Sequence, residues 1–177
     1  MLVHRYWTGP GLPPCVSATS AVHASQYGAL RDWTDETLPP RIKRAVDRVE
    51  DYVPEAHRPR HRANVARLLL LQEFGGLWVD HDLIIISLPS AEMPWTAWSG
   101  SRICSAVLAF EKGDSRLALA LENVTPSDSS VTASGEGMLT DVWGGERIPY
   151  YRLPFNRDGS KDRAGTPWAV HLWSTGC

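Results

Sequence analysis

The sequence predicts an α/β fold, a single domain built on a mostly parallel central sheet. Three observations predict it. Segments rich in β-branched and aromatic residues alternate with segments of helical period along the chain, the order that a parallel sheet with crossover helices requires. The chain has 177 residues, which suits one domain over 1–177 with a real core and leaves little room for a second. The clearest helix pattern, about Arg62 to Phe74, stops at Gly75-Gly76 and passes at once into a short apolar strand, Leu77–Val79.

Each element has its own signal. Leu2–Trp7 is β-rich toward its end and leads into the turn chemistry of Thr8-Gly9-Pro10-Gly11. Residues 17–29 are small and begin with serine, a good helix cap. Ala29–Trp33 is a short strand closed by Thr34-Asp35-Glu36. Pro40 opens a helix to about Asp51 that puts Ile42, Val46 and Val49 on one face. Residues 54–62 are rich in proline and arginine and read as irregular. Glycine after the following helix accepts the left-handed conformation that ends it. Leu83–Ile86 is a continuation of Leu77–Val79 or a neighbour to it. Trp95–Gly100 and Ile103–Phe110 are strands. Asp114–Asn123 is a helix with Leu117, Ala118 and Leu121 inward. A Ser/Thr/Gly-rich loop over 125–137 precedes a short helix, Met138–Trp143. Strands near Ile148–Leu153 and Trp168–Leu172 complete the pattern.

Composition excludes several classes. Hydrophobic content of 43% with 21% charged residues is that of an ordinary globular chain, not a disordered one. A net charge of −2 gives no general attraction to nucleic acid or anionic membrane. Cys15, Cys104 and Cys177 have no framework or zinc-ligand spacing, so reduced thiols are expected. The first residues reach His4 and Arg5 without an apolar core, and Leu68–Leu71 and Leu83–Ile86 are far too short to span a bilayer. No integral membrane segment and a cytoplasmic location are the expectations. Arginine outnumbers lysine 15 to 3, which fits a GC-rich genome such as that of an actinobacterium or its phage.

The chemistry centres on Asp80-His81-Asp82, two carboxylates where an apolar strand runs out. Such oxygen ligands suit Mg²⁺ or Mn²⁺ with positions left for phosphate oxygens, although a bare Asp-x-Asp is also a common solvated turn. One helix upstream, Asn64 and Arg67 are three apart and share a helix face. The run Glu55 to Arg62 is the densest basic stretch, either a solvated loop or a phosphate contact. His23 and His57 are expected at the surface, His4 in the core or behind a ligand, and Trp33, Trp78 and Trp98 in the core.

The segment 63–82, Ala-Asn-x-x-Arg followed by Phe-Gly-Gly-x-Trp-x-Asp-x-Asp, resembles the DXD sugar-binding region of glycosyltransferase family 32. That family includes fungal mannosyltransferases and, more distantly, the glucosylating domains of large clostridial toxins. Val3 to Gly9 is similar to its N-terminal Ile-His-Gln-x-Trp-x-Gly strand. Leu30 to Asp35 resembles its Leu-Trp-x-Asp element, Ala133 to Thr140 its late Thr-Gly-Pro-Gly loop, and Ala169 to Trp173 its final His-containing segment. The resemblance implies a GT-A fold, with the nucleotide-sugar site of a Rossmann-like sheet. It also implies metal-dependent, retaining transfer of a sugar from a UDP- or GDP-sugar donor. The acceptor would be a glycan, lipid, protein or modified nucleic acid, nucleic acid entering only in that role.

Carried over residue by residue, Trp7 would lie against the base. Asp82 would ligate Mn²⁺ or Mg²⁺, and Asp80 would contact ribose, sugar or metal. Arg67 with Asn64 would hold sugar hydroxyls, Gly75 and Gly76 would belong to the donor-binding motif, and His171 would approach the metal or diphosphate. Asn64 stands where the family has aspartate, and Glu136 where it has proline. Glu136 and Gly135 are candidates for the acceptor side. Two alternatives use the same residues. A haloacid dehalogenase-type phosphatase also ends a strand in Asp-x-Asp, but it expects the motif near the start of the chain and a later lysine with acidic partners. A non-catalytic nucleotide-sugar- or glycan-binding module would explain Asn64 and the short chain.

Overall fold

The computed structural model describes residues 1–8, 12, 14, 17, 23, 29–85, 92–98, 101–124, 134–145 and 148, and the backbone alone of 99, 150–152 and 169–171. The elements are β1 (Val3–Trp7), β2 (Leu30–Thr34), α1 (Pro40–Asp47), α2 (Arg58–Phe74), β3 (Gly76–Val79), β4 (Leu83–Ile85), β5 (Trp95–Ser99), β6 (Arg102–Phe110), α3 (Ser115–Glu122), α4 (Glu136–Trp143), β7 (Tyr150–Arg152) and β8 (Ala169–His171). Ser17 and His23 are helical; the rest of the helix expected over 17–29, the glycine turn at 9–11 and the loop at 125–133 lie outside the described residues.

Six strands form one mixed, mostly parallel sheet in the order β2-β1-β3-β6-β5-β7. β1 runs parallel to both β2 and β3, and β5 parallel to β7, while β6 is antiparallel to β3 and β5. Leu83–Ile85 neither continues β3 nor joins this sheet. It pairs with β8 in a separate two-stranded ladder, with Leu83 opposite His171.

Strand alternation divides the core by face. Tyr6, Trp33, Trp78, Leu108 and Phe110 pack under α1, α2, α3 and α4. Val3, Leu77, Val79, Cys104 and Ala109 point the other way, into a second cluster with Leu83, Ile85 and Trp95 of β4 and β5. β1 is buried from Val3 to Tyr6, as a strand covered on both faces must be. No helix among the described residues is long and apolar enough to cross a membrane.

α2 begins four residues before the expected start. Pro59 lies in its first turn, where the missing N–H has no partner to lose. The basic run is therefore helical from Arg58 onward rather than irregular, and it divides by exposure: His57 and Arg60 face solvent, whereas its last two residues turn inward. His61 and Arg62 are buried. Arg62 bridges Asp35 at 2.6 Å, Asp47 at 3.1 Å and Glu50 at 3.1 Å, and Arg58 Nε donates to the Val53 carbonyl at 2.9 Å. His23, expected at the surface, is also buried, whereas His57 is exposed as expected.

α2 ends where the sequence places its stop. Gly75 has φ 65° and Gly76 φ 103°. A Cβ on Gly76 would stand 2.3 Å from the Leu2 carbonyl oxygen, and one on Gly75 2.5 Å from the Lys112 nitrogen. The pair lets the helix turn directly into a central strand while two other backbone segments pass at contact distance. Gly76→Ala combines a disfavoured φ with a backbone clash, so it is expected to destabilise the fold by about 3–5 kcal/mol. Urea denaturation measures this; an unchanged midpoint would mean that β1 can shift to admit a methyl group.

Candidate active site

The parallel strands β2, β1 and β3 end on one edge of the sheet. Their order reverses at β1, since β2 lies on one side of it and β3 on the other. In open α/β sheets the crevice beyond the strand ends at such a reversal is where ligands bind. Trp7 ends β1 and Asp80 follows β3, so both border this crevice. The pairing of Val3 with Leu77 and His4 with Trp78, carried on at the same offset, brings Trp7 level with His81. Their rings meet edge to face, with centroids 5.7 Å apart and planes at 74°.

Alternation at the end of β3 also sorts the motif. Asp80 follows the parity of Trp78 and faces α2. Its Oδ1 accepts from Arg67 Nη2 at 2.9 Å and from Trp78 Nε1 at 2.6 Å. Its backbone N–H donates to the Ala106 carbonyl of β6 at 2.8 Å, which fixes the strand exit. The Arg67 guanidinium lies over the Trp78 ring, 5.0 Å from its centroid. Arg67 is 4% exposed and Asp80 29%, so the pair joins an enclosed cation to a carboxylate that still reaches the crevice.

Behind Arg67 stands Asn64. Arg67 Nη1 donates to Asn64 Oδ1 at 2.9 Å, and Asn64 Nδ2 donates to Ser134 Oγ at 3.1 Å. Ser134 Oγ is 2.9 Å from His61 Nδ1. Both ends of the buried amide are thus engaged within the protein, and the amide orients Arg67. Arg67 Nε is buried with no partner among the described residues. Ser134 leads into Gly135, the residue that precedes α4, and Glu136 begins that helix half-buried. Burial, then the charges of Glu136 and Asp80, pushes the thiol of Cys104 up. The hydrogen bond from Asn64 to Ser134 ties the entrance of α4 to the helix face that carries Arg67.

His81 faces away from α2. Its Nδ1 accepts from Arg5 Nε at 2.9 Å and also from Arg5 Nη2. Arg5, in the middle of β1, is wholly buried, 3.3 Å from Asp32 and 3.2 Å from His23 Nδ1. Burial, then the adjacent Arg5 charge, holds both His23 and His81 down to about 4.

Several expected site residues therefore come together: Trp7, Asn64, Arg67, Asp80 and half-buried Asp82, with Gly135 and Glu136 beside them. The backbone of His171 joins them through its pairing with Leu83. Gly75 and Gly76 do not. They stand at the far end of β3 from Asp80, where they serve the close packing described above. Sequence reasoning passed over Arg5, His81, His61 and Ser134. One signal was present: two basic residues, His4 and Arg5, in a strand buried on both faces need partners.

No protein-family model matches the sequence, and no curated protein matches it. Among solved structures the chain is similar to one described as PaToxG Glycosyltransferase, with a TM-score of 0.61 and 15% identity over 82% of this chain and 68% of that one. The fold is glycosyltransferase-like.

A divalent cation can be tested against the donors present. Among the described residues no group of three or more His, Cys, Asp and Glu side chains is close enough to hold a metal ion. Asp80 and Asp82 supply two carboxylates at the crevice, and His81 is turned to Arg5. A pair of hard oxygen donors fits Mn²⁺ or Mg²⁺ shared with a diphosphate better than a closed protein cage.

Proposed function

We propose that this chain is a metal-dependent glycosyltransferase, similar to family 32, that moves a sugar from a UDP- or GDP-sugar to an acceptor with retention of configuration. The observation that carries the reading is the Arg67–Asp80 pair, braced by Trp78 and Asn64, at the crevice where the strand order of a glycosyltransferase-like sheet reverses.

Each residue has a part that its position supports. Trp7 offers an indole face for the base. Asp82 and Asp80 would hold Mn²⁺ or Mg²⁺; the family resemblance adds His171, whose backbone pairs with Leu83, as a group near the metal or the diphosphate. The cation, when bound, offsets the negative charge that develops on the departing diphosphate. Arg67, oriented from behind by Asn64, would hold sugar hydroxyls. This arrangement fixes the sugar before the glycosyl–phosphate bond breaks, so the acceptor meets it at a defined distance. Gly135 and Glu136, at the entrance of α4, are the candidates for the acceptor side.

The test is release of UDP or GDP from a panel of nucleotide sugars with Mn²⁺, wild type beside Asp82→Asn. Slow release from one donor, reduced about 100-fold or more in the variant, is the expected result, the scale of losing one electrostatic group at a transition state. Donor binding without release, with or without added acceptors, would favour the binding module. Turnover of an aryl phosphate with Mg²⁺ and of no nucleotide sugar would overturn the reading in favour of a phosphatase.

A further inference from the structure

We propose that His81 is a positioning residue that joins the two halves of the nucleotide site, the base wall at Trp7 and the carboxylate turn at Asp80 and Asp82. The inference rests on the glycosyltransferase reading and adds a residue that the Asp-x-Asp pattern leaves unspecified.

Three contacts carry it. The imidazole of His81 meets Trp7 edge to face at 5.7 Å, so it braces the indole from the side. Its Nδ1 is the acceptor for a guanidinium held in the interior of β1, with Arg5 Nε at 2.9 Å. Arg5 is itself fastened by Asp32 on β2 and by His23, and it has no exposure to solvent. Its fork cannot swing away without stranding a buried charge. His81 is therefore pinned to β1, and the residues on either side of it are the two carboxylates. Asp80 is in turn pinned to α2 through Arg67. The turn is held from both faces of the sheet, by one arginine on each.

The two roles of the ring can be separated by substitution. Asparagine keeps an acceptor for Arg5 and removes the ring. Phenylalanine keeps the ring beside Trp7 and removes the acceptor. The probes are Mn²⁺, titrated by the loss of its free electron paramagnetic resonance signal, and UDP and GDP, titrated calorimetrically at saturating Mn²⁺. His81→Asn is expected to bind Mn²⁺ within about threefold of wild type. Its affinity for the nucleotide that the wild type prefers should fall about three- to tenfold, the range of one lost aromatic pair. His81→Phe is expected to show the reverse split, with Mn²⁺ affinity down about tenfold or more, as for other groups that orient a metal ligand.

If the phenylalanine variant does not fold, the asparagine variant decides alone, because a ring with only a structural role would not separate nucleotide from metal. Wild-type binding of Mn²⁺ and nucleotide with both variants unchanged, or with both affinities moved together, overturns the inference and leaves the proposed function standing. Wild-type binding of neither Mn²⁺ nor a nucleotide overturns both.

Discussion

Asp80→Ala is expected to destabilise the protein by about 3–5 kcal/mol, whatever it does to activity. Asp80 Oδ1 is the shared acceptor of Arg67 Nη2 and Trp78 Nε1, and the Arg67 side chain is almost fully enclosed. Truncation leaves a buried guanidinium without its counter-charge and a buried indole N–H without its acceptor. Breaking a buried pair from one side has about this effect, far more than losing an exposed one. Asp80→Asn keeps an oxygen for both donors and removes only the charge, so its loss should be roughly half as large. Equilibrium urea unfolding of the two variants measures the difference. Equal midpoints for wild type and Asp80→Ala would mean that the turn is held elsewhere and that the ion pair is incidental.

Mild acid is expected to have an effect of similar size through different residues. His23 and His81 are held down to about 4 by burial and by Arg5, while an unfolded histidine titrates near 6.5. Between those values the unfolded chain binds protons that the folded chain refuses. Stability is therefore complete above about pH 6.5 and falls as the pH drops toward 4. Each histidine contributes on the order of 2–3 kcal/mol to that fall, and little more is lost through them below pH 4. Asp32, beside Arg5, tempers the slope by attracting a proton-bearing histidine. Denaturation midpoints at pH 7.5, 6, 5 and 4, without added metal, test this. A flat profile over that range would show that both rings titrate near the unfolded value in the folded protein, as they would if the Arg5 cluster opens.

Local chemistry was the readable part of this chain. The paired glycines, the alternation of strand and helix, and a proline at the first turn of α1 are short-range features, and they place β1, β2, β3, α1, α3 and α4 within a few residues. Asp80 and Arg67 were legible because a strand end and one helix face lie close together in sequence as well as in space. Asn64 was legible as a neighbour of Arg67. Its engagement with Ser134 was not, because Ser134 lies 70 residues away. The Arg5 cluster was hidden for the same reason: the separation to His81 is 76 residues. The basic run failed differently. Charge was visible in the sequence, but the three carboxylates that gather around Arg62 come from separate elements. A proline in the first turn of α2 looked like a breaker when it is a starter.

The amide at position 64 has a consequence for a ring that it never touches. Arg67 can only donate, so Asn64 must present its oxygen to Arg67 and its NH₂ to Ser134. Ser134 then has one hydroxyl proton, and His61 Nδ1 is the acceptor within reach. A neutral His61 ring then carries its proton on Nε2. An aspartate in place of Asn64 would offer oxygen on both sides. Ser134 would have to turn its proton back toward it, and the His61 proton would have to move to Nδ1. The choice between amide and acid at one helical position is thus written in the tautomer of a histidine two hydrogen bonds away, where nitrogen chemical shifts can read it without any substrate.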